Sequence, residues 1–296
     1  MFTEFFNQQP MILIVDSGST KCDWIAVNNN GKQVLEKIRT LGLNPAILKE
    51  NKLIKIIKSS PELMEHKNNV THIFFYGAGC GTEKPRLALL KILEDIFINA
   101  EVDVQEDTWA AVRATINQDD EAAVVCIMGT GSNCSYYDGN ILHQRVKSLG
   151  YTLMDDASGN YYGKELIRDY YFNHMPEAIK VSFAEKYNVD ADFIKNNLYK
   201  QPNPNAYLAS FAEFMFLNKD SEYIKELIKS GLRRFAKNMI LQFKNEIEVV
   251  PVHFAGSIAF FSEDEIREVA QEFNFKVGNI VRRPIEGLVA YHISKL

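Results

Sequence analysis

The sequence predicts an α/β fold made of two similar lobes. Strand-like and helix-like segments alternate along its 296 residues, which is the pattern of a sheet covered by helices. A unit of apolar strand, short turn, second strand and hairpin also occurs twice. Its turns are residues 16–21 (DSGSTK) and 129–134 (GTGSNC), and the hairpin signals Asn30-Gly31 and Asp138-Gly139 follow them. The repetition indicates a duplicated architecture.

Strands and helices can be assigned along the first lobe. Strands are predicted at 11–15, at 22–27, in a short stretch ending near 39, at 70–76 and at 102–104. Apolar residues at helical spacing predict helices near 47–57, at 85–97 and at 108–116, and Ser59-Ser60-Pro61 ends the first of these. The polar, aperiodic stretch 117–121 predicts the link between lobes of residues 1–118 and 119–296.

The second lobe repeats the strand unit and then becomes mainly helical. Strands are predicted at 123–128 and 135–137, and helices at 161–171, 177–187, 191–199, 206–217 and 221–243. A strand at 249–255, a helix at 260–273 and an edge strand at 275–277 follow. Pro284 opens a final helix. This last helix, at about 284–296, could pack back on the first lobe.

Composition excludes several classes of function. The formal net charge of −5 and the absence of a basic run argue against a nucleic-acid partner. No apolar stretch reaches the length of a membrane span, and no secretory signal is recognisable, so we expect no membrane partner. The four cysteines form no C-x-x-C pair, and we interpret them as small apolar residues of a reducing compartment. Together these features predict a cytoplasmic protein.

The two glycine-rich turns are the features most suggestive of chemistry. A tight turn of glycine and hydroxyl residues lets backbone amides and side-chain hydroxyls approach an anion closely. Two such turns suggest that a polyphosphate is bound from two sides, and therefore an ATP-using enzyme. The alternative is that both are ordinary hairpins, which use the same residue types. The Walker, G-x-G-x-x-G, G-x-S-x-G and protein-kinase signatures are absent.

Three motifs carry a resemblance that spans almost the whole chain. They are V-D-S-G-S-T-K at 15–21, I-M-G-T-G-S-N-C at 127–134 and F-A-G-S at 254–257. The chain resembles the sugar kinase/Hsp70/actin superfamily, and within it the N-acetylglucosamine kinase branch of the BadF/BadG/BcrA/BcrD ATPases. The resemblance implies two ribonuclease-H-like (actin-like ATPase) lobes with a nucleotide cleft between them. It also implies phosphoryl transfer from ATP with Mg²⁺ to a small-molecule sugar, giving a 6-phosphate, and it allows a homodimer.

The resemblance assigns one group of residues to ATP and the metal. The residues that it implies for ATP are Gly18, Ser19, Thr20, Lys21, Thr130, Gly131, Gly256 and Ser257. Asp16 closes the first strand, where a carboxylate would repel phosphates unless a metal ion lies between them, so it is the expected Mg²⁺ ligand. The alternative for Asp16 is a cap of the turn.

A second group is assigned to the sugar. Its members are Asn44, Gly79, Asp107, Ser132, Asn133, Gly150 and Asp155. Asp107 is the expected catalytic base, which accepts the proton of the attacking hydroxyl. From its position alone it is a helix N-cap, and the two roles are compatible. Asn44 precedes a proline, so it could equally be a turn residue.

The stretch 150–159 departs from the family pattern G-x-x-x-G-D-E-G-S. Met154 and Ala157 replace glycines, and Asp156 replaces glutamate. These changes leave the sugar open: N-acetylglucosamine is expected, and N-acetylmuramic acid or glucosamine are alternatives. Two other functions of the same fold also stay open. One is an ATPase that activates a partner through an iron–sulfur cluster, for which only Cys80 is suggestive, and the other is a non-catalytic sugar sensor.

Overall fold

The computed structural model describes residues 10–18, 20–117 and 121–295, which form two units. Unit 1 comprises the chain up to Ala114 and the segment from Pro284 onward, and unit 2 is Thr115–Arg283. The boundary at 118/119 expected from the sequence falls on residues outside the described ones. Within the described part of the chain, none of the helices combines the length and apolar character that crossing a membrane requires.

The elements follow the order that the sequence indicates, with an additional helix at 61–66 and an additional strand at 142–143. The first part of the chain contains β1 (Met11–Ser17), β2 (Lys21–Asn28), β3 (Ile38–Leu41), α1 (Glu50–Lys58), α2 (Pro61–His66), β4 (Val70–Gly77), α3 (Glu83–Ile96), β5 (Glu101–Glu106) and α4 (Asp107–Thr115). The middle part begins with β6 (Ala123–Met128), β7 (Ser132–Tyr137), β8 (Leu142–His143), α5 (Gly159–Tyr171), α6 (Glu177–Lys186) and α7 (Ala191–Tyr199). It continues with α8 (Pro204–Ser210), α9 (Glu213–Leu217), α10 (Glu222–Asn238), β9 (Val252–Ala255), α11 (Ser257–Phe261), α12 (Glu263–Phe273) and β10 (Val277–Val281). The last element is α13 (Pro284–Ile293).

The sheet of unit 1 has the order β3-β2-β1-β4-β5. β1, β4 and β5 are parallel, so their carboxyl ends meet at one edge, whereas β2 and β3 are antiparallel. Alternate residues of β1 face opposite sides. Leu13 and Val15 pack into a core shared with α1, α2 and α3, and Ile12 and Ile14 pack into a second core shared with α4 and α13.

The sheet of unit 2 has the order β10-β9-β6-β7-β8. β6, β9 and β10 are parallel and β7 and β8 are antiparallel, so the arrangement of unit 1 recurs. One large core joins this sheet to α5, α9, α10 and α12. In both units, the parallel strands therefore bring their carboxyl ends to one edge, which is where ligands usually bind in such sheets.

Candidate functional site

The carboxyl edge of the unit 1 sheet carries several of the residues singled out from the sequence. Asp16 lies at the end of β1, Gly79 follows β4, and Asp107 follows β5. Ser17 ties two loops to this edge. Its hydroxyl accepts a hydrogen bond from the N–H of Leu43 at 2.8 Å, and its carbonyl accepts one from the N–H of Ala78 at 2.9 Å. Ser17 is buried, and no sequence signal distinguishes this role from that of an ordinary turn serine.

Asn44 and Gly79, which the sequence assigns to the sugar separately, are in contact. Gly79 has a φ of +82°, and a Cβ at this position would lie 2.0 Å from Oδ1 of Asn44. The same Oδ1 accepts a hydrogen bond from the N–H of Ala46 at 3.0 Å, which fixes the side chain. Only glycine allows this approach. The structure therefore places an amide side chain against the loop that follows β4.

Asp107 begins α4 and has an unusual electrostatic environment. Burial, followed by the negative charges of Glu106 and Asp16, raises the pKa of Asp107 to about 7. Its carboxylate accepts hydrogen bonds from the backbone N–H groups of Thr108 and of Asp107 itself, which oppose that rise in pKa without offsetting it. Asp107 is thus the first residue of α4, and backbone N–H groups at the start of the helix bind its carboxylate.

Asp16 shares this concentration of negative charge. Burial and the charge of Asp23 raise the pKa of Asp16 to about 7, against the opposing charge of Lys21. Asp23 is buried beside it, and burial alone would raise its pKa. Its hydrogen bonds to Arg39, at 2.7 and 3.2 Å, and the charge of Lys37 hold the pKa of Asp23 below its ordinary value. Asp23 is therefore compensated within the protein, whereas Asp16 favours a cation.

The chemistry of Asp16 fits a magnesium ion that arrives with a phosphate ligand. No cluster of three or more His, Cys, Asp or Glu side chains suited to a metal occurs within residues 10–18, 20–117 and 121–295. Mg²⁺ commonly keeps several waters and is held by one or two carboxylates together with substrate phosphates. One half-buried carboxylate at the sheet edge is thus a sufficient protein ligand.

The first glycine-rich turn joins β1 to β2. Gly18 is half-buried, whereas Thr20 and Lys21 are exposed. The carbonyl of Thr20 accepts a hydrogen bond from the N–H of Gly42 at 3.1 Å, which holds the turn beside the loop that contains Asn44. Ser19, also assigned to ATP from the sequence, lies outside the described residues.

The second glycine-rich turn joins β6 to β7 and is held by the start of α5. The carbonyl of Gly129 accepts a hydrogen bond from the N–H of Gly159 at 2.8 Å. The carbonyl of Thr130 accepts two from Asn160, from the backbone N–H at 3.1 Å and from Nδ2 at 2.6 Å. Gly131 closes the turn by accepting a hydrogen bond from the N–H of Gly129 at 2.9 Å. Asn160 is buried, and no motif in the sequence singles it out.

Asp155 lies directly against this turn. Its carboxylate accepts hydrogen bonds from the backbone N–H of Ser132 and from Nδ2 of Asn160, the latter at 3.0 Å. A Cβ on Gly131 would lie 2.8 Å from Oδ2 of Asp155. Burial raises the pKa of Asp155 despite these hydrogen bonds. The structure thus brings together Gly131, Ser132 and Asp155, which were assigned to ATP and to the sugar from separate motifs.

The residues that depart from the family pattern have clear structural roles. Ala157 is buried with a φ of +57°, a conformation that favours glycine, so this chain accepts some backbone strain where the family has glycine. The carboxylate of Asp156 accepts hydrogen bonds from Nε of Arg234 at 3.2 Å and from Nδ2 of Asn238 at 2.7 Å. Its carbonyl accepts one from the hydroxyl of Ser132 at 2.8 Å. The changed segment is therefore bound to β7 and α10.

A pocket of about 330 Å³ opens beside this segment in unit 2. Polar groups of Ser132, Asp155, Asp156, Arg234 and Asn238 line it, together with apolar groups that include Leu153 and Met154. Hydrogen-bonding groups beside an apolar wall are suited to a polar organic ligand such as a sugar.

Two other residues assigned to the sugar accept hydrogen bonds from backbone N–H groups close to them in sequence. Oδ1 of Asn133 accepts a hydrogen bond from the N–H of Cys134 at 2.7 Å. Gly150, with a φ of +80°, turns the chain, and its carbonyl accepts hydrogen bonds from the N–H groups of Leu153 and Met154. The carboxamide oxygen of Asn133 can accept one more hydrogen bond, whereas the two bonds to the carbonyl of Gly150 already fill its capacity.

Gly256 and Ser257 follow β9, so they lie at the carboxyl edge of the parallel strands in the unit 2 sheet. Gly256 has a φ of +117°, and a Cβ there would lie 2.3 Å from the carbonyl oxygen of Met128 at the end of β6. Its N–H donates a hydrogen bond to the carbonyl of Val281 at 2.9 Å. Gly256 therefore lies against the end of β6 and is hydrogen-bonded to the end of β10. The F-A-G-S motif thus lies beside the second glycine-rich turn.

Comparisons with known proteins place these features in context. No family model and no curated protein sequence matches the chain. The solved structure of a proposed N-acetylglucosamine kinase from Porphyromonas gingivalis is 31% identical, with 96% of this chain and 99% of that chain covered and a TM-score of 0.88. A proposed N-acetylglucosamine kinase from Chromobacterium violaceum is 13% identical, with coverages of 96% and 99% and a TM-score of 0.72. A ROK family glucokinase from Streptomyces griseus, solved with glucose and AMPPNP, is 16% identical, with coverages of 95% and 97% and a TM-score of 0.58.

The three likenesses differ in what they show. The first combines sufficient sequence identity with nearly complete coverage of both chains, so it establishes kinship. The other two are below 25% identity and establish a shared fold alone. Together they confirm the predicted α/β fold with two lobes.

Proposed function

The chain belongs to the N-acetylglucosamine kinase-like family of sugar kinases, which have the actin-like ATPase fold, and on this premise we propose that it phosphorylates an amino sugar. The reaction would transfer the γ-phosphoryl group of ATP to the 6-hydroxyl of the sugar, and N-acetylglucosamine is the substrate that we expect. The observation that carries this proposal is the carboxyl edge of the unit 1 sheet. There, a carboxyl group with a pKa of about 7 lies at the same edge as the contact between Asn44 and Gly79.

Asp107 is proposed as the catalytic base. A general base works best when its pKa lies near the pH at which it operates, and burial beside Glu106 and Asp16 brings Asp107 to that range. Phosphoryl transfer depends mainly on positioning and on stabilisation of charge, so the base needs chiefly to be well placed. The two backbone N–H groups that bind its carboxylate fix that placement.

The acceptor sugar is proposed to bind through carboxamide, carboxylate and backbone groups. Asn44 is held by its bond to the N–H of Ala46, and its amide can both donate to and accept from hydroxyl groups. In unit 2, Ser132 and Asp155 line the 330 Å³ pocket, and Asp155 keeps acceptor capacity beyond its two hydrogen bonds. Gly79, Asn133 and Gly150 are assigned to the same ligand on the family resemblance.

ATP is proposed to bind to both glycine-rich turns and to Gly256 and Ser257. Backbone amides of tight glycine turns form concave anion sites, and Lys21 adds a positive charge beside the first turn. Asp16 would hold Mg²⁺, which in such reactions bridges and neutralises phosphate oxygens. The raised pKa of Asp16 supports this role, because a cation favours the ionised form of a carboxyl group that burial and the charge of Asp23 disfavour.

The experiment that tests this function is ADP release from ATP by the purified protein. It would be measured with and without Mg²⁺, alone and with N-acetylglucosamine, N-acetylmuramic acid, N-acetylmannosamine, glucosamine or glucose. We expect N-acetylglucosamine to give the strongest stimulation, only with Mg²⁺, and a sugar 6-phosphate as product. Strong stimulation by a different amino sugar would correct the substrate. ATP binding without stimulation by any sugar would contradict a kinase.

A cytoplasmic location and a homodimer are further proposals. The location is inferred from four free, buried cysteines, which suit a reducing compartment. The homodimer is inferred from the family alone. Sedimentation equilibrium across a range of concentrations would test it, and a single monomeric mass at all concentrations would contradict it.

A further inference from the structure

Glu106 is a second carboxylate at the acceptor end of the site, directly before Asp107. It is the last residue of β5 and pairs in register with Gly77, the last residue of β4. The loop that carries Gly79 starts after Gly77, so the Glu106 side chain and this loop emerge side by side from adjacent parallel strands. A glutamate here is not required by strand formation, since its side chain lies at the end of the strand and is only half-buried.

The carboxylate of Glu106 contacts both neighbours. A Cβ on Gly81 would lie 2.5 Å from its Oε1 and 3.0 Å from its Oε2, so the carboxylate lies directly against the backbone of the loop. On its other side, Oε2 accepts a hydrogen bond from the hydroxyl of Thr108 in α4 at 3.1 Å. Thr108 is buried, so this bond is held in one geometry.

We propose that Glu106 is a positioning residue of the acceptor site, whose carboxylate holds the loop of residues 77–81 at the start of α4. The loop that contacts Asn44 through Gly79 and the helix that begins with Asp107 are thereby kept in one relative arrangement. This proposal rests on the proposed function for its catalytic meaning, but the attachment of the loop is a structural claim that can be tested separately.

The negative charge of Glu106 supports the same role. It contributes, after burial, to the raised pKa of Asp107. Glu106 therefore acts on the base through its charge and on the loop through contact. Replacing it with a neutral residue changes both, so a test needs a variant that leaves the charge in place. Thr108→Val removes the hydrogen bond to Glu106 and keeps its carboxylate.

Cys80 provides a direct readout of the loop. It lies between Gly79 and Gly81 and is only 2% exposed, so a thiol reagent can reach it only when the loop opens. Burial, followed by the charges of Asp107 and Glu106, raises the pKa of Cys80 to about 12. The other three cysteines, Cys22, Cys126 and Cys134, are buried in strands and report on unfolding as a whole.

The experiment compares Glu106→Gln and Thr108→Val with the wild type and with Glu101→Gln. Glu101 is the first residue of the same strand, and its side chain is exposed. Labelling of each cysteine by a thiol reagent would be followed by peptide mass spectrometry. We expect Cys80 to react about fivefold faster in Thr108→Val, the factor for a lost hydrogen bond of about 1 kcal/mol. It should also react faster in Glu106→Gln, because a neutral amide oxygen accepts a weaker hydrogen bond from Thr108 than a carboxylate does. The other three cysteines should stay unlabelled, and Glu101→Gln should match the wild type.

Steady-state kinetics with the preferred sugar complete the test. We expect a KM for the sugar about fivefold higher in Thr108→Val with nearly unchanged kcat, because the base and its neighbouring charge are retained. Unchanged Cys80 labelling in both variants would overturn the proposal, and so would labelling of all four cysteines, which would make Glu106 a residue of general stability. If the wild type phosphorylates no sugar, the proposed function fails while the labelling still tests the attachment of the loop.

Discussion

Asp107 is the proposed catalytic base, and backbone N–H groups at the start of α4 also bind its carboxylate. Asp107→Asn keeps the size of the side chain and an oxygen that can accept the N–H of Thr108, but it removes the ability to accept a proton. We expect kcat to fall by about 10²–10⁴-fold, the usual contribution of a general base. ADP release in a coupled assay measures this, with circular dichroism to verify folding.

The matched control is Asp103→Asn on the same strand. Asp103 accepts a hydrogen bond from the side chain of Gln105 and lies well before the carboxyl end of β5. This variant should retain nearly normal turnover. Near-normal turnover in Asp107→Asn as well would remove Asp107 from the chemistry.

Gly79 and Gly150 form a natural pair for separating backbone strain from steric conflict. Their φ values are +82° and +80°, so an added Cβ strains both backbones similarly. At Gly79 that Cβ would also meet Asn44 at 2.0 Å, whereas at Gly150 no atom of the described residues lies within 4 Å. We expect Gly150→Ala to cost about 1 kcal/mol of unfolding free energy and Gly79→Ala about 1–3 kcal/mol more. Equal costs in thermal melts would show that Asn44 moves away freely.

For individual residues, the sequence was sufficient to find those that belong to motifs. It was not sufficient to find the residues that hold the motif loops in place through hydrogen bonds. The glycine-rich turns were recognisable from their residue types after a strand, and Asp155 from the resemblance of residues 150–159 to a family motif. Ser17 and Asn160 act through hydrogen bonds to backbone groups distant in sequence, at Leu43 and Thr130, and no local sequence pattern predicts such bonds. The strain at Ala157 also became visible only from its backbone angle.

At the scale of elements, the order of strands and helices was predictable and several of their ends were not. The helix expected at 206–217 is two helices, because the chain breaks at Phe211 and Ala212. Both residues are buried, so the apolar pattern continues through the break. The strand expected from 249 begins at Val252, after Pro251, which has no N–H to give to a ladder. The edge strand expected at 275–277 is Val277–Val281.

α13 is attached to the unit 1 sheet by a histidine that must stay neutral. His292 stacks on Phe74 with ring centroids 3.9 Å apart, and its Nε2 bonds to the hydroxyl of Tyr76 at 2.9 Å. Burial and the charge of Arg113 lower the pKa of His292 to about 4. An unfolded histidine has a pKa of about 6.5, so between pH 6.5 and pH 4 the unfolded chain binds more protons. This contribution to stability is therefore present above pH 6.5 and is lost as the pH falls.

In the full chain, this pH dependence can be measured with a signal that comes from unit 1 alone. Both tryptophans of the chain, Trp24 and Trp109, belong to unit 1, so their fluorescence reports its unfolding. We expect His292 to account for a loss of about 2 kcal/mol between pH 7 and pH 5 in urea titrations. His292→Gln should lose this part of the pH dependence, whereas His174→Gln, at an exposed histidine of unit 2, should keep it. An unchanged pH dependence in His292→Gln would contradict the assignment.

At the scale of the whole molecule, unit 1 is assembled from two segments separated by unit 2. Leu288 of α13 is fully buried among Ile12, Ile14 and Ala110. Leu288→Ala should cost about 2–5 kcal/mol of unfolding free energy, because it leaves a cavity in that core. Tryptophan fluorescence in urea would measure the loss, and Leu217→Ala, at an exposed leucine, should change little. A loss below about 1 kcal/mol in Leu288→Ala would show that α13 adds little to unit 1.

The same discontinuity sets the order of events during synthesis. When the ribosome has completed residue 114, one face of the first sheet still lacks α13, the helix that will cover Ile12 and Ile14. The part of that face that α13 covers stays exposed while the 169 residues of Thr115–Arg283 are translated. We therefore expect chaperones that bind apolar surfaces to bind the growing chain at this stage. Synthesis of α13 ends that exposure.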